Sequence, residues 1–401
     1  MKRIPLRRLG LVLALTLCVP GFSLAQHYIQ TNLVTDGNTP GVTAAHTDGQ
    51  LLNPWGITRS TGSPWWVSDN NAGVSTLYDG TGTKQGLVVT IPGPKNSPPN
   101  FVAAPTGVIS NGSSDFAVTP GHPAHFIFCT EDGTISAWPG GSTVATLEVD
   151  NSETPNAQNG AVYKGCTSGD VNGTRYLYMA NPRSGQIEVY DAAFTRVHLH
   201  PDRDASWRGR DADGRGPDDR DSDGGAFQDE RIPRGFAPHN IQNIGGSLIV
   251  AYAKQDPARH DAVKDGGGFV DIFSPSGKLE ARLESGPWLQ APWGAVRTPR
   301  DFGELNRLLI GNFGSGTIAA FNGFDGHFIG FMLDENGKVI VNDGLWSLTF
   351  GNSAVGCTDP NACGSAGPYN SLFFTAGVND EAGGLFGTFT AIKAEQDGDE
   401  E

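Results

Sequence analysis

Short apolar runs rich in β-branched and aromatic residues alternate along this chain with turns rich in Gly, Pro, Asn and Asp, and no amphipathic helical period persists. One pattern recurs: a Pro- or Gly-flanked strand, a hydrophobic second strand, a polar turn, and a third strand that ends in an aromatic. Its first copy reads Asn53-Pro54-Trp55-Gly56-Ile57, Trp65-Trp66-Val67-Ser68-Asp69-Asn70 and Gly73-Val74-Ser75-Thr76-Leu77-Tyr78. Later copies begin near residues 104, 163, 237, 291 and 344, each with room for a variable fourth strand such as Gly86–Ile91. A single unit of this kind cannot bury both faces of its own sheet; radial stacking of neighbours can. The pattern therefore predicts an all-β, six-bladed β-propeller. Tyr28–Val34, a strand before the first copy, is expected to supply the outer strand of the last blade and so close the ring. Gly133, Gly185 and Gly316 sit in the second-to-third turns, where a left-handed backbone is expected.

Composition adds an address. Lys2, Arg3, Arg7 and Arg8, the apolar run Leu9–Phe22 and Ser23-Leu24-Ala25 read as a leader over residues 1–25, with cleavage before Gln26. The run is too short for a bilayer span, and no later stretch is long and apolar enough for one. The expected organisation is a leader at 1–25, a propeller over 26–392 and an acidic tail at 393–401, in a secreted or periplasmic protein. A formal charge of −15, more negative still without the leader, argues against a nucleic-acid partner.

An exported chain permits disulfides. Cys357 and Cys363 bracket a short Gly-rich loop and are expected to form a local bridge. Cys129 and Cys166 then pair by elimination, or stay as two buried thiols. One segment breaks the repeat, from His198 to about Arg234, and it is dominated by Asp, Arg and Gly. Within it Asp219, Asp221, Asp223, Gly224 and Glu230 have the spacing of a calcium loop. Pro217 and Pro233 stand where helices should flank such a loop, so a solvated charged loop is the competing reading.

Equivalent repeat positions form rings at the mouth of a propeller channel. Trp55, Thr106, His239, Trp293 and Trp346 make one ring, a ligand platform or blade-to-blade packing, with Asn240 beside it. Asp69, Asn70, Glu131, Asp132, Asn181 and Asn312 make another. Asp69, Asn181 and Asn312 could hold Ca2+ in the channel, or could satisfy turn backbone. His239 is the candidate general base. No nucleophile elbow, zincin helix, phosphate loop or dinucleotide fingerprint occurs in usable context.

The segments Asn53–Ile57, Trp66–Asn70, Glu131–Ser136, Asn240–Gly245, Tyr252–Asp256 and Gly311–Gly316 together resemble a family of exported bacterial propeller proteins, several of which carry a PEP-CTERM sorting tail. The resemblance runs from about Tyr28 to Phe389. It implies an NHL-like or SMP-30-like six-bladed propeller and brings no established activity. This chain departs from the family in its acidic ending, Glu395–Glu401, and in its charged insertion. At the level of fold the repeat also looks like calcium-dependent lactonases and streptogramin lyase. Two functions follow as expectations. The first is a module that binds a small molecule, glycan or protein at the channel mouth. The second is a calcium-dependent, lactonase-like hydrolase or lyase.

Overall fold

A computed structural model describes residues 26–201, 225–303, 306–353 and 365–392. The leader, Asp219, Asp221, Asp223, the Cys357–Cys363 pair and the acidic tail lie outside the described residues.

Six blades follow one another in sequence, five of them four-stranded antiparallel sheets and the last a six-stranded sheet in which two short strands add parallel pairings to its outer strand. Their innermost strands are Pro54–Thr58, Pro105–Ser110, Gly165–Val171, Phe236–Ile244, Pro292–Arg297 and Leu345–Phe350, and each touches the next around the ring. Blade 6 is assembled from both ends of the described chain: His27–Thr35 pairs antiparallel with Leu385–Ala391, with a bulge between Asn32 and Val34. The expected closure by the N-terminal strand is therefore what the structure has.

The apolar pattern explains why the blades must meet. Each blade buries its two faces against its neighbours, giving six clusters, one per boundary. Trp66, Leu77, Phe126 and Phe128 fill the boundary between blades 1 and 2. Ile57, Trp65, Val67, Phe373 and Phe386 fill the boundary between blades 6 and 1, with Val34 of the closing strand. A seventh cluster, Trp55, Trp293, Phe313 and Trp346 with Ala253 and Ala291, lies on the axis.

Two kinds of glycine make this geometry possible. Gly133, Gly185 and Gly316 have φ of 77°, 75° and 70°, as their turns require. Inner-strand glycines serve close approach instead. A Cβ on Gly56 would stand 2.6 Å from the Thr106 carbonyl oxygen, and one on Gly294 would stand 2.5 Å from that of Trp346.

Cys129 and Cys166 are both free and buried, which corrects the disulfide reading in favour of two thiols. They fill the space that Gly107 leaves between blades 2 and 3: a Cβ on Gly107 would lie 2.6 Å from Cys166 Sγ and 2.9 Å from Cys129 Sγ. Cys129 lies 3.3 Å from Thr106 Oγ1 and donates to the Gly107 carbonyl at 3.8 Å, and burial pushes the Cys166 thiol up. Both sulfurs act as small packing groups.

Candidate functional site

The mouth of the channel is built by the chain entering each inner strand and by the loops joining each second strand to its third. In five blades a register shift falls between the inner and the second strand, around Trp55-Gly56, Thr106, His239, Trp293-Gly294 and Trp346-Ser347. Such bulges re-aim side chains, and here the residues turn towards the axis. The sixth member of the ring is Lys164, the residue before Gly165, at the repeat position that Trp55, Trp293 and Trp346 occupy in theirs.

The three tryptophans plug the channel. Trp55 stacks on Trp346 with centroids 3.5 Å apart, Trp293 meets both edge-on at 6.1 and 5.8 Å, and Phe313 stacks on the other side of Trp346 at 4.1 Å. The Trp346 indole N–H donates to Asn53 Oδ1 at 3.0 Å, and that of Trp293 to the Lys164 carbonyl at 2.9 Å. Asn240 donates to the Trp293 carbonyl at 2.8 Å, so it ties blade 4 to blade 5. Packing between blades is thus what these four residues do.

Over the plug lies a charged layer. Lys164 is 3% exposed in its side chain, with its ammonium 5.2 Å from the Trp55 ring centroid. It donates to Glu131 and, at 2.8 Å, to Asp261. Burial alone would drive the proton off this amine, but the Glu131 and Asp261 charges outweigh it and hold the ammonium above its ordinary range. Glu131 also accepts from Asn70 at 2.9 Å. Asn53 donates to Glu381 at 3.0 Å, and burial raises that carboxyl despite the bond. Burial likewise raises Asp132, which accepts the Ala104 N–H at 2.8 Å. Across the mouth Lys264 pairs with Asp380 at 2.9 Å and lies 5.1 Å from the Phe313 centroid.

His239 is also on the axis, 3% exposed. Its Nδ1–H donates to the Pro292 carbonyl at 3.0 Å, because a carbonyl can only accept. Burial, with the charge of Lys164, lowers its pKa to about 3. The imidazole is thus a neutral, weak base with one nitrogen already engaged.

Asp69, Asn181 and Asn312 keep their side chains within their own blades. Asp69 accepts the Thr76 N–H at 3.0 Å and its hydroxyl at 2.6 Å, and burial pushes the carboxyl well above its ordinary range. Asn181 accepts from the Val162 and Arg183 amides at 3.3 and 3.1 Å and donates to Glu188 at 2.8 Å. Asn312 accepts from the Gln290 amide at 2.9 Å and donates to the Trp288 carbonyl at 3.0 Å. These are turn and strand fasteners. Glu230 is exposed; the carboxylate tied down there is its neighbour Asp229, bonded to Arg282 at 2.6 Å.

Among the described residues one group has metal-ligand composition, Glu131, His260 and Asp261, with ligand atoms within 4.8 Å of one another. Lys164 already donates to two of its three members. Two surface depressions, of about 460 and 400 Å3, border Gln30 and Asn32 of the closing strand rather than the axis.

No protein-family model matches the chain. Over 355 residues it is 31% identical to uncharacterized protein R648 of Acanthamoeba polyphaga mimivirus, covering 86% of this chain and 76% of the relative. The chain belongs to the R648 family. Uncharacterized protein L690 of the same virus is 28% identical over 357 residues, covering 86% and 82% of the two chains. Both of these relatives are viral, whereas the sequence resemblance pointed to exported bacterial proteins. Among solved structures the chain is similar to streptogramin B lyase, at 14% identity and a TM-score of 0.46 over 92% of this chain and 98% of that one. It is also similar to the Cps50 (Swd1) β-propeller domain of Myceliophteria thermophila, at 9% identity and a TM-score of 0.43 over 83% and 82%. At such values neither likeness carries chemistry into the R648 family.

Within the described residues no helix is long and apolar enough to cross a membrane.

Proposed function

We propose that this protein is a binding module whose partner docks on the channel mouth. The observation that carries the reading is the axis itself. Aromatic side chains close it from below, and a buried lysine paired with Glu131 and Asp261 sits over them. What is left is a recognition surface of fixed charges rather than a substrate-sized cleft. Asp261, Lys264 and Asp380 are the exposed groups there and offer both donors and acceptors, which suits a small molecule, a glycan or a protein surface.

The competing reading, a calcium-dependent hydrolase or lyase, has weaker support. His239 is enclosed beside Phe313 and Trp346, and Asp69 Oδ2, Asn181 and Asn312 hydrogen-bond within their own blades, although Asp69 Oδ1 is buried without a partner. At Glu131, His260 and Asp261 a cation would have to displace the Lys164 ammonium. The leader-like residues 1–25 support an exported protein, and N-terminal sequencing of the product from an expressing culture tests that.

Binding of the purified protein to glycan and metabolite arrays, repeated with the surface substitutions Asp380→Asn and Glu381→Gln, tests the main reading. Ligands whose capture weakens in these variants support it. A stoichiometric metal together with lactone or ester hydrolysis that disappears in His239→Ala would overturn it.

A further inference from the structure

The connection between the second and third strands of blade 4 spans 255–267, whereas its counterparts span 70–73, 131–133, 182–185, 313–317 and 377–384. The extra length does not trail into solvent. Asp256 organises it: the carboxylate accepts the His260 amide at 2.8 Å and the Asp261 amide at 3.2 Å, and the backbone amide of Asp256 donates to the Asp261 carbonyl at 2.9 Å. These bonds fix the shape of the loop over 256–261.

It also crosses the mouth. Ala262 rests against the aromatic plug. On one side Asp261 reaches Lys164 at the entrance to blade 3, at 2.8 Å. On the other, Lys264 covers Phe313 and pairs with Asp380 of the blade 6 loop. At its two ends the loop is anchored by hydrogen bonds, Gln255 to the Pro182 and Gly235 carbonyls and Gly267 to Gln290, and Arg259 reaches Asn159 at 3.4 Å, whereas over the mouth it is held by two exposed carboxylates: the Asp261 and Asp380 side chains are 65% and 93% exposed. The Lys264–Asp380 pair is exposed on both sides and contributes little, so the latch over Phe313 is weak, while Asp261 is held by His260 at 2.9 Å as well as by Lys164. The other partner of Lys164 is different in kind, since the Glu131 side chain is 14% exposed and is fixed by Asn70.

We propose that residues 255–267 form a lid over the channel mouth, and that beneath it lies a site for a ligand bearing one carboxylate on a flat apolar body, which displaces Asp261 from Lys164. Lys164 is pre-positioned for the anion and keeps Glu131 throughout. A single ligand carboxylate replaces Asp261 charge for charge. A polyanion is disfavoured by Asp132, Asp343, Asp380 and Glu381 around the rim. The apolar body takes the aromatic surface that Lys264 vacates, chiefly Phe313. Asp261 thus acts as a built-in competitor, and the apparent affinity of the closed protein is reduced by the fraction of time the lid is open.

This inference rests on the binding-module reading, and the experiment separates the two. The probe is 2-naphthoate, with uncharged 2-naphthamide as control, titrated calorimetrically into the full-length protein. Asp261→Asn is expected to bind naphthoate about tenfold more tightly than wild type. Asp261→Asn/Lys164→Met should lose that binding, and naphthamide should bind neither protein. Because Lys164→Met also loosens the fold, a second measurement uses wild type alone: amide exchange over 255–267 should speed up on saturation with naphthoate. Equal affinities in wild type and Asp261→Asn, no binding to a folded Asp261→Asn, or unchanged exchange overturns the lid and its ligand class. Array ligands that still depend on Asp380 or Glu381 but ignore Asp261 would then leave the binding-module reading standing.

Discussion

Lys164 lies over the Trp55 ring at 5.2 Å with only 3% of its side chain exposed, and it pairs at once with a glutamate from blade 2 and an aspartate from blade 4. One cation thus joins three blades across the axis. Breaking a buried pair by removing one partner strands the other charge and costs about 3–5 kcal/mol. Lys164→Met should lower stability by that order, read from urea unfolding. Asp261→Asn, which removes an exposed partner, should cost less than about 1 kcal/mol. Adding Glu131→Gln to Lys164→Met should restore part of the loss; independent, additive effects would refute the coupling.

Asp271 supplies a pH dependence of its own. Burial, then the charge and hydrogen bond of Asp229, raise its pKa from 3.8 to about 8, while Arg282 opposes the rise. An acid that holds its proton more tightly in the native state stabilises most below its unfolded pKa. That contribution falls as pH climbs through the interval from about 4 to about 8. Asp271→Asn keeps a donor for Asp229 and carries no charge. It should leave the urea midpoint nearly unchanged at pH 4 and raise it at pH 8. A variant whose midpoint follows wild type at both values would show that the Asp229–Asp271 pair does not share a proton.

The fold was legible because its signal is periodic. Six copies of one strand pattern must be stacked to bury both faces, and the spare strand at Tyr28–Val34 had one place to go. The mouth was legible only where its residues repeated. Trp55, Trp293 and Trp346 stood out as identical letters at one phase, while Lys164 held the same phase in copy three and went unread as a ring member. Its position before Gly165 was the available signal. Asp261, Lys264 and Glu381 come from loops of unequal length, for which periodicity has nothing to say. Asp69, Asn181 and Asn312 were legible for another reason. Their recurrence was real, but oxygen-bearing side chains recur at turns because each turn has its own amides to satisfy.

Inner-strand glycines should be intolerant of a single methyl group. A Cβ at Gly56 falls 2.6 Å from a backbone oxygen of blade 2, and one at Gly294 falls 2.5 Å from a backbone oxygen of blade 6. Backbone atoms cannot swing aside as a side chain tip can, so the blades must separate. Overpacking of this kind costs about 1–3 kcal/mol. Gly56→Ala and Gly294→Ala should each lower the melting temperature clearly. Gly86→Ala, where nothing lies within 4 Å, is the control and should not.

The closing strand makes the ring depend on the N-terminal end of the described chain. His27–Thr35 covers one side of Leu385–Ala391, and its Val34 is fully buried in the cluster shared by blades 6 and 1. Removing residues 26–35 would leave Leu385–Ala391 as an unpaired edge and open that cluster to water. Exposed hydrophobic edges pair with other chains. The truncated protein should therefore elute as large aggregates or oligomers in size exclusion, where the complete chain would not. Val34→Asp should reproduce the defect with every strand still present, because it places an uncompensated charge in the seam. A truncated protein with the same elution volume and melting temperature as the complete chain would mean that blade 6 is held shut by its own three remaining strands.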